Sequence, residues 1–451
     1  MSVPLDHDRV LEGPPKGGAA AVGLGEVEEF VRHAVHQMRP TEEGAPKGPG
    51  RPRVLPSMCL WAGMLVCVLR GMASQLELWR LLASRGLWDY PRFEITDQAV
   101  YNRLAREGTK PLEGLFGHVS ALLEERLGPH ELGGLAGFAA GVVAIDQSTM
   151  EKVARLLPAL REASPKELLA GKLSGVFDVR AQRWRRVSYT EDARENEKVC
   201  ARDLLEGLPQ TTMVLFDLGY FGFGWFDHLT DSGYYYLCRM RAKTSYEVIH
   251  VYHEDEKTGT LDCVAWLGKH RSDRAAHAVR LVRFEAGGKS YSYITNVLDP
   301  ELLPLQEVPR LYGRRWDFEL AMKLVKRDLG LGLLWGCKPV VVVQQVWAAL
   351  IVSQILQALR TEVAARAGAS VDEVSMGLLV RYMPRFAARG LDPVKEFVEQ
   401  GRALGFIRPS RRIDRRGPRI PPELLSPLPP GLALRREPRY AGRRSGTRAA
   451  P

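Results

Sequence analysis

The chain has 451 residues, enough for roughly two or three domains of ordinary size. Its hydrophobic share of 45% and charged share of 26% are typical of a soluble globular protein and exclude a collagen-like, wholly disordered or polytopic membrane chain. The net charge of +10 equals the charge of one segment, because residues 402–448 hold thirteen arginines and three acidic residues. Sequence this rich in Arg and Pro predicts a flexible arm that neutralises phosphates, and a solubilising tail is the alternative.

Targeting and redox signals are weak throughout the chain. Two apolar runs, residues 58–73 and 340–359, are interrupted by Arg70 and by four glutamines, so we predict buried helices rather than membrane spans. The N-terminus shows no basic stretch followed by an apolar run, which predicts no secretory signal and a cytoplasmic location. The six cysteines form no Cys-x-x-Cys pair, which argues against a zinc knuckle or a disulfide framework.

The N-terminal third is predicted to be helical after a Pro/Gly-rich linker. Around Arg51 and Arg53 the linker resembles an AT-hook, although an ordinary linker is the simpler interpretation. Further on, Thr96 is a predicted N-cap for a helix with Val100 and Leu104 facing inward. Its outward residues, predicted to read DNA bases or to be plain helix surface, are Gln98, Asn102 and Arg103.

Strand-like sequence begins near residue 138. An apolar run ends at Asp146, a hairpin turns at Ala181 and Gln182, a helix capped by Thr190 ends near Gly207, and a buried strand ends at Asp217. The predicted order is βββαβ. Carboxylates at neighbouring strand ends repel each other unless a cation lies between them, so Asp146 and Asp217 indicate a metal site. The alternative is that each Asp is a turn residue at a strand end.

Residues 234–298 hold short alternating runs with turns at Gly259, Gly287 and Gly288, and predict a β-rich insertion. Two histidines in this region, His250 and His253, are three apart on a strand and would point to opposite faces, so we predict no metal site there.

A helix is predicted from Pro309 to about Leu329. At about 100° per residue it brings four residues to one face: Tyr312, Arg315, Glu319 and Lys326. An apolar stripe would pack inward on the other side: Phe318, Leu320, Ala321, Leu324 and Val325. Arg314 and Asp317 interrupt that stripe without explanation. A charged face of this kind is either solvated surface or a metal ligand flanked by phosphate-binding side chains.

The spacing Tyr312-x2-Arg315-x3-Glu319-x6-Lys326 resembles the Y-R-E-K signature of the DDE transposases of the insertion-sequence-4 family. Asp146 and Asp217 look like the first and second catalytic aspartates of that family. The chain departs from the family pattern after each aspartate, with Gln147-Ser148 in place of the frequent Gly-Thr and with Leu218 in place of Arg.

The resemblance implies an α/β fold: a ribonuclease-H-like catalytic core, with a mixed sheet flanked by helices, that is interrupted by a β-rich insertion and preceded by a helical DNA-binding domain. The expected segments are an arm and linker (1–56), the helical DNA-binding domain (57–136), the core (137–233), the insertion (234–298), the second core part (299–365), a helical region (366–407) and the basic tail (408–451).

The same resemblance implies function. Asp146, Asp217 and Glu319 would be the catalytic residues and would hold two Mg²⁺ ions, for which Mn²⁺ substitutes, while Tyr312, Arg315 and Lys326 would bind DNA. The expected partners are double-stranded DNA, as inverted-repeat ends and as target, and a second copy in a synaptic homodimer, in the cytoplasm and on the nucleoid. The expected activity is cleavage of the element's ends and their joining to target DNA; the alternative is a DNA-binding regulator or an inactive transposase on the same scaffold.

Overall fold

The structure is a computed structural model. It describes residues 26–38, 54–127, 134–150, 162, 171–192, 195–269, 273–331, 333–336 and 338–440. The AT-hook hypothesis at Arg51 and Arg53 lies outside these residues, as does the end of the basic tail. The described residues belong to two compact units. The first is drawn from residues 1–129, 149–171 and 320–411, and the second from residues 130–148, 172–319 and 412–451.

The predicted α/β class is confirmed, because helices and one large mixed sheet make up the described chain. The helices are α1 (Val27–Gln37), α2 (Ser57–Leu69), α3 (Gln75–Ser84), α4 (Asp97–Glu107), α5 (Lys110–Leu127), α6 (Glu197–Leu205), α7 (Phe223–Asp231), α8 (Val308–Gly313), α9 (Trp316–Lys323), α10 (Pro339–Arg366), α11 (Met376–Ala387) and α12 (Pro393–Glu399). The strands are β1 (Val142–Thr149), β2 (Lys172–Asp178), β3 (Arg183–Thr190), β4 (Met213–Leu215), β5 (Tyr235–Arg239), β6 (Tyr246–Asp255), β7 (Thr260–Leu267), β8 (Val279–Ala286) and β9 (Lys289–Thr295).

Helix α10 is the central helix of the first unit, where it packs against α2 and α5. It is long and apolar enough to span a membrane, but 89% of its most apolar stretch is buried inside the protein. Gln344 is fully buried and donates to the carbonyls of Leu104 at 2.9 Å and Gly108 at 2.7 Å, at the end of α4. A buried amide that is hydrogen-bonded in this way fits a protein core. The prediction that the two apolar runs are buried helices is confirmed for α2 and α10.

Two helices show how polar caps begin a helix. The predicted N-cap Thr96 accepts from the Ala99 amide at 3.2 Å, and Val100 and Leu104 of α4 are buried as expected. The predicted cap of α6 is wrong: Thr190 is the last residue of β3, and Asn196 accepts instead from the Lys198 amide at 3.1 Å. Asn196 directly precedes the helix, so its side chain, and not that of Thr190, can accept from the first amides of α6.

The polar face of α4 is only partly as predicted. Gln98 and Asn102 are exposed. Arg103, expected to point outward, is instead largely covered, pairs with Glu107 at 2.5 Å and donates to the Ser57 hydroxyl at 2.7 Å. Its guanidinium reaches back to the start of α2 within the helical unit, which makes it a packing residue in this conformation.

The strands form a nine-stranded sheet in the order β3-β2-β1-β4-β5-β9-β8-β7-β6. The predicted order βββαβ and the hairpin at Ala181 and Gln182 are confirmed, and Gln182 adopts the left-handed backbone conformation that the tight turn requires (φ 53°). Strands β1, β4 and β5 pair in parallel. Side chains of β1, β4, α6 and α7 share one hydrophobic cluster, which holds these two helices on the sheet.

The predicted β-rich insertion, residues 234–298, belongs to this same sheet. Its first strand, β5, pairs in parallel with β4, and β9 continues the sheet antiparallel to β5. The three predicted glycine turns are confirmed, with φ of 61° at Gly259, 57° at Gly287 and 69° at Gly288. The register places a fully buried ion pair, Arg280–Asp262 at 2.6 Å, between β7 and β8.

The expectation of a flexible basic arm is wrong for residues 412–440. This segment lies against the second unit and forms isolated bridges through Arg435 with His277 and through Arg439 with Arg274. Several of its arginines find acidic or aromatic partners in that unit, which composition alone could not reveal.

Candidate active site

The two predicted aspartates lie near each other, two residues beyond the last paired residues of the parallel strands β1 and β4. The prediction that the first strand ends at Asp146 is wrong, because β1 continues to Thr149. The β1–β4 register pairs Val142 with Met213 and Ala144 with Leu215, and continuing it by two residues places Asp146 level with Asp217. Asp217 follows β4 and accepts from the Gly219 amide at 2.8 Å, which fixes the turn after the strand.

The predicted continuous helix from Pro309 to Leu329 is wrong. The chain forms α8, a break at Arg314 and Arg315, then α9 and a π-helical turn, Leu324–Asp328. At the break the amides bond to carbonyls three residues back, as in Arg315 to Tyr312 at 3.0 Å and Asp317 to Arg314 at 2.9 Å. This tighter winding changes the angle per residue, so the constant rotation used for the sequence does not apply here.

The predicted apolar stripe is also only partly correct. Phe318, Ala321, Leu324 and Val325 are buried, but Leu320 is 53% exposed. Leu320 therefore does not belong to the buried stripe.

Arg315 is the centre of the site. Its Nη1 lies 3.3 Å from Asp146 Oδ2 and 2.9 Å from Glu319 Oε1. The Tyr312 hydroxyl is hydrogen-bonded to the Arg315 side chain, and the Tyr312 ring packs against Tyr293 with ring centres 5.3 Å apart. Tyr312, Arg315, Glu319 and Asp146 therefore meet in the second unit.

The carboxylates of Asp146, Asp217 and Glu319 outnumber the one guanidinium, that of Arg315, which lies among them. Burial raises the pKa of Asp146 to about 6, and the nearby charges of Asp217 and Glu319 add to the rise. The Gln147 amide, which donates to Asp146 at 2.7 Å, and the Arg315 guanidinium act in the opposite direction. A positive ion among these carboxylates would relieve the repulsion.

A fourth carboxylate, which the sequence did not indicate, lies beside Asp217. A Cβ added to Gly219 would lie 2.9 Å from Asp217 Oδ1 and 3.0 Å from Glu197 Oε2. Asp146, Glu197 and Asp217 all contribute to raising the pKa of the buried Tyr220 hydroxyl, after burial itself. Glu197 is the first residue of α6 and had no local signal that distinguished it from an ordinary acidic first turn.

The donor set has the chemistry of a hard divalent cation, because it consists of carboxylate oxygens. Within the ranges that the structure describes, no three His, Cys, Asp or Glu side chains are close enough together to hold a metal ion. The Arg315 guanidinium instead supplies the positive charge between Asp146 and Glu319. The carboxylates fit a cation by charge and donor type, and binding would need Arg315 to give up its place.

Two residues that the sequence left unexplained, Arg314 and Asp317, form a buried ionic cluster next to the site. Asp317 pairs with Arg314 at 2.6 Å and with Arg412 at 2.6 Å, and it accepts from the Gln182 side-chain Nε2 at 2.8 Å. Charged residues within an apolar stripe indicate that each has a buried partner of opposite charge. The sequence could not indicate which residues those partners are.

Two further residues complete the description. Trp316 is 55% exposed, and the Arg315 guanidinium lies over its ring at 5.2 Å. Lys326 lies in the π-helical turn, which belongs to the first unit, and its contact with DNA stays a prediction.

Comparisons with known proteins bear on this arrangement. Residues 142–355 match the family model of the transposase DDE domain. The chain is similar to the transposase InsG for insertion sequence element IS4 of Escherichia coli strain K12, with 24% identity over 173 residues. That match covers 36% of this chain and 38% of the relative, so the chain spans well under half the length of the relative it matches.

Among solved structures, the piggyBac transposase synaptic complex with hairpin DNA is similar over 83% of this chain and 80% of that chain, with a TM-score of 0.41 and 8% identity. A TM-score this low does not assign a fold. The family match spans Asp146, Asp217 and Glu319. Residues 142–355 are therefore similar to the transposase DDE domain, and part of the chain is similar to an insertion-sequence-4 transposase.

Proposed function

We propose that this protein is a DNA transposase that cleaves the ends of an insertion sequence and joins the freed 3′-hydroxyl ends to target DNA. One observation carries the proposal: within the region similar to the DDE domain, the parallel register brings Asp146 level with Asp217, and Arg315 links Asp146 to Glu319. Three acidic residues that are far apart in the chain thus share one electrostatic site.

The topology supports a ribonuclease-H-like core as part of this proposal. Five strands in the order β3-β2-β1-β4-β5, with β1, β4 and β5 parallel and the β2–β3 hairpin antiparallel, form the part of the sheet that carries the aspartates. The proposed domain organisation consists of the seven segments predicted from the sequence, with the helical region 57–136 as the DNA-binding domain. Action would take place in the cytoplasm, on the nucleoid.

The roles of the residues follow from their chemistry. Asp146, Asp217 and Glu319 would hold two divalent cations, Mg²⁺ or in its place Mn²⁺, which activate a water or a 3′-hydroxyl and stabilise the leaving oxygen. Arg315, which pairs with Asp146 and Glu319 in the free protein, would turn to a DNA phosphate, whose oxygens a guanidinium can bind in a bidentate manner. Tyr312 would orient Arg315 through its hydroxyl, and Lys326 would bind a strand phosphate.

The partners would be the inverted-repeat ends, target DNA and a second copy of the chain. A homodimer would bring the two transposon ends together for joining. These partners follow from the family resemblance and are part of the proposal.

The test is cleavage of DNA that carries the inverted repeats flanking the coding region, with Mg²⁺ or Mn²⁺. We expect nicks at the element ends with wild-type protein and a loss of about 1,000-fold with Glu319→Gln, which keeps the shape of the side chain and removes its charge. Glu307→Gln is the matched control, because Glu307 pairs with Arg310 and Arg416 outside the site.

The alternative function has its own outcome. If wild-type protein binds the ends but produces no nicks with either metal, and Glu319→Gln binds equally well, the chain is a DNA-binding regulator on a transposase scaffold.

A further inference from the structure

The C-terminal segment 412–440 is fastened at both ends to buried carboxylates of the second unit. At one end Arg412 pairs with Asp317, and at the other the Tyr440 hydroxyl donates to Asp227 Oδ2 at 2.6 Å. Both aspartates are almost fully buried, with exposures of 3% and 2%. A segment that ends on two buried charges is held in a defined place rather than merely laid on the surface.

The Arg412 end reaches the break between α8 and α9. Its Nη1 lies 2.6 Å from Asp317 Oδ1, and its Nη2 donates to the Gly313 carbonyl at 3.0 Å. Gly313 ends α8 and Asp317 belongs to the first turn of α9, so a single guanidinium contacts both sides of the break. Arg315 and Glu319, two residues beyond these contacts, are the parts of the site that the break positions.

The middle of the segment fits closely against the same unit. The Gly417 amide donates to the Gln306 carbonyl at 3.0 Å, and a Cβ at Gly417 would come within 2.9 Å of the Leu305 carbonyl oxygen. Only glycine fits this approach without movement. Further along, three leucines of the segment pack against the cluster of Tyr252, Val264, Trp266 and Ala278: Leu425, Leu428 and Leu434.

Near its far end the segment is held by Arg436. This side chain donates to the carbonyls of Leu267 at 2.6 Å and Ala275 at 3.0 Å, and its guanidinium lies 4.7 Å from the centre of the Trp266 ring. Polar, apolar and aromatic contacts thus follow one another from Arg412 to Tyr440.

We propose that residues 412–440 form a strap that holds the catalytic helix in position, and that Arg412 is its positioning residue. The inference rests on the proposed function for its activity readout. Asp317 connects the strap to the break between α8 and α9. It contacts Arg314 and Gln182 outside the strap, and it pairs with Arg412 of the strap. Removing Arg412 leaves the buried Asp317 with one positive partner fewer and releases the Gly313 carbonyl.

Such a change acts on the geometry of the site rather than on its chemistry. A displacement of about 1 Å in a catalytic group costs about 100-fold in rate. We therefore expect Arg412→Ala to slow cleavage of pre-bound transposon ends about 100-fold, measured at protein concentrations that saturate those ends. Arg412→Lys keeps the charge but has no planar fork with which to contact Asp317 and Gly313 together, so we expect partial recovery of the rate.

The matched control is Arg416→Gln. Arg416 is also an arginine of the strap with acidic partners, Glu307 at 3.2 Å and Asp414 at 3.2 Å, but it is half-exposed and does not contact the break. We expect its cleavage rate to stay within about twofold of the wild type. An equal loss in Arg416→Gln and Arg412→Ala would overturn the assignment of Arg412.

Hydrogen exchange in the full-length protein without DNA gives a readout that does not depend on cleavage. We expect the amides of Asp317 and Phe318, which bond across the break at 2.9 and 3.2 Å, to exchange at least about tenfold faster in Arg412→Ala than in wild type. If Arg412→Ala does not fold, the comparison is made with Arg412→Lys. Unchanged exchange in the folded variant overturns the inference.

The two proposals fail in different ways. A wild-type protein that never cleaves refutes the proposed function, while faster exchange at the break in the Arg412 variant still supports the strap. A wild-type protein that cleaves, with an Arg412→Ala variant that cleaves equally fast, refutes the strap alone.

Discussion

At the scale of single residues, Arg315 does in the free protein what a cation is proposed to do in the active complex. It lies 3.3 Å from Asp146 and 2.9 Å from Glu319, and it is largely covered by neighbouring side chains. Burial is the largest cause of the raised pKa of Asp146, and the charges of Asp217 and Glu319 raise this pKa further. The free site is therefore held together by one guanidinium among carboxylates that repel each other.

The raised pKa of Asp146 predicts that the stability of the metal-free protein depends on pH. The pKa of Asp146 is raised from 3.8 to about 6, so the folded state binds more protons than the unfolded state between those values. The free energy of unfolding contributed by this group therefore falls as pH rises through that window. In buffer with EDTA at pH 8, we expect Asp146→Asn to be more stable than wild type by on the order of 2–3 kcal/mol.

The measurement is urea unfolding at pH 4 and at pH 8. The stabilisation by Asp146→Asn should shrink toward pH 4, where the wild-type carboxyl is largely protonated in the folded state and close to half protonated in the unfolded state. Glu301→Gln, an exposed carboxylate in the same unit, controls for the loss of one negative charge. A stabilisation that is the same at both pH values would contradict the raised pKa of Asp146.

At the scale of elements, the ends of helices and strands determine where the functional groups lie. The parallel register of β1 and β4 aligns the two aspartates, and the break between α8 and α9 turns Arg315 toward them. Helix α6, which begins at Glu197 beside Asp217, depends on the Asn196 cap. The start of this helix thus supports the fourth carboxylate of the site.

The cap predicts a measurable effect. Asn196→Ala should lower the free energy of unfolding by about 1 kcal/mol, because the Lys198 amide loses its 3.1 Å acceptor. Asn196→Ser, which supplies another capping oxygen, should stay within about 0.5 kcal/mol of wild type. Urea unfolding of the three proteins decides the point: equal stability of the Ala and Ser variants would mean that the cap contributes nothing.

At the scale of the whole molecule, the net charge and the longest apolar helix both have structural explanations. Residues 402–448 carry a charge equal to that of the entire chain, and within 412–440 several arginines meet acidic, carbonyl and aromatic partners of the second unit. Helix α10 has the composition of a membrane span but is the core helix of the first unit.

The core position of α10 can be tested with two equal substitutions in the first unit. Leu350→Ala should lower the free energy of unfolding by about 3 kcal/mol, because Leu350 is fully buried and its removal leaves a cavity. Leu404→Ala, at a position that is 56% exposed, should change it by less than about 1 kcal/mol. Thermal and urea unfolding in detergent-free buffer measure both. An equal, small effect of the two substitutions would mean that α10 is not packed in a protein core.

The sequence by itself predicted most of the strands and turns and proposed the residues of the candidate site. Apolar periodicity, turn residues and capping side chains act over a few neighbours, so the strands, the β2–β3 hairpin, the glycine turns and the Thr96 cap were predictable. Asp146 and Asp217 each end an apolar, strand-like run in the sequence, and Glu319 lies on the polar face of a predicted helix in a spacing that resembles the signature of a known family, so these three residues could be predicted as candidates.

Only the tertiary structure decided what depends on distant parts of the chain. The register of β1 against β4, the break at Arg314 and Arg315, and the exposure of Leu320 arise from packing that no local pattern records. The same holds for Asp317, whose partner Arg412 lies in a tail that composition predicted to be free. A buried charge is stabilised by partners that are close in space but can be distant in sequence. Asp317, which the sequence left unexplained, therefore pairs with Arg412 of the C-terminal segment.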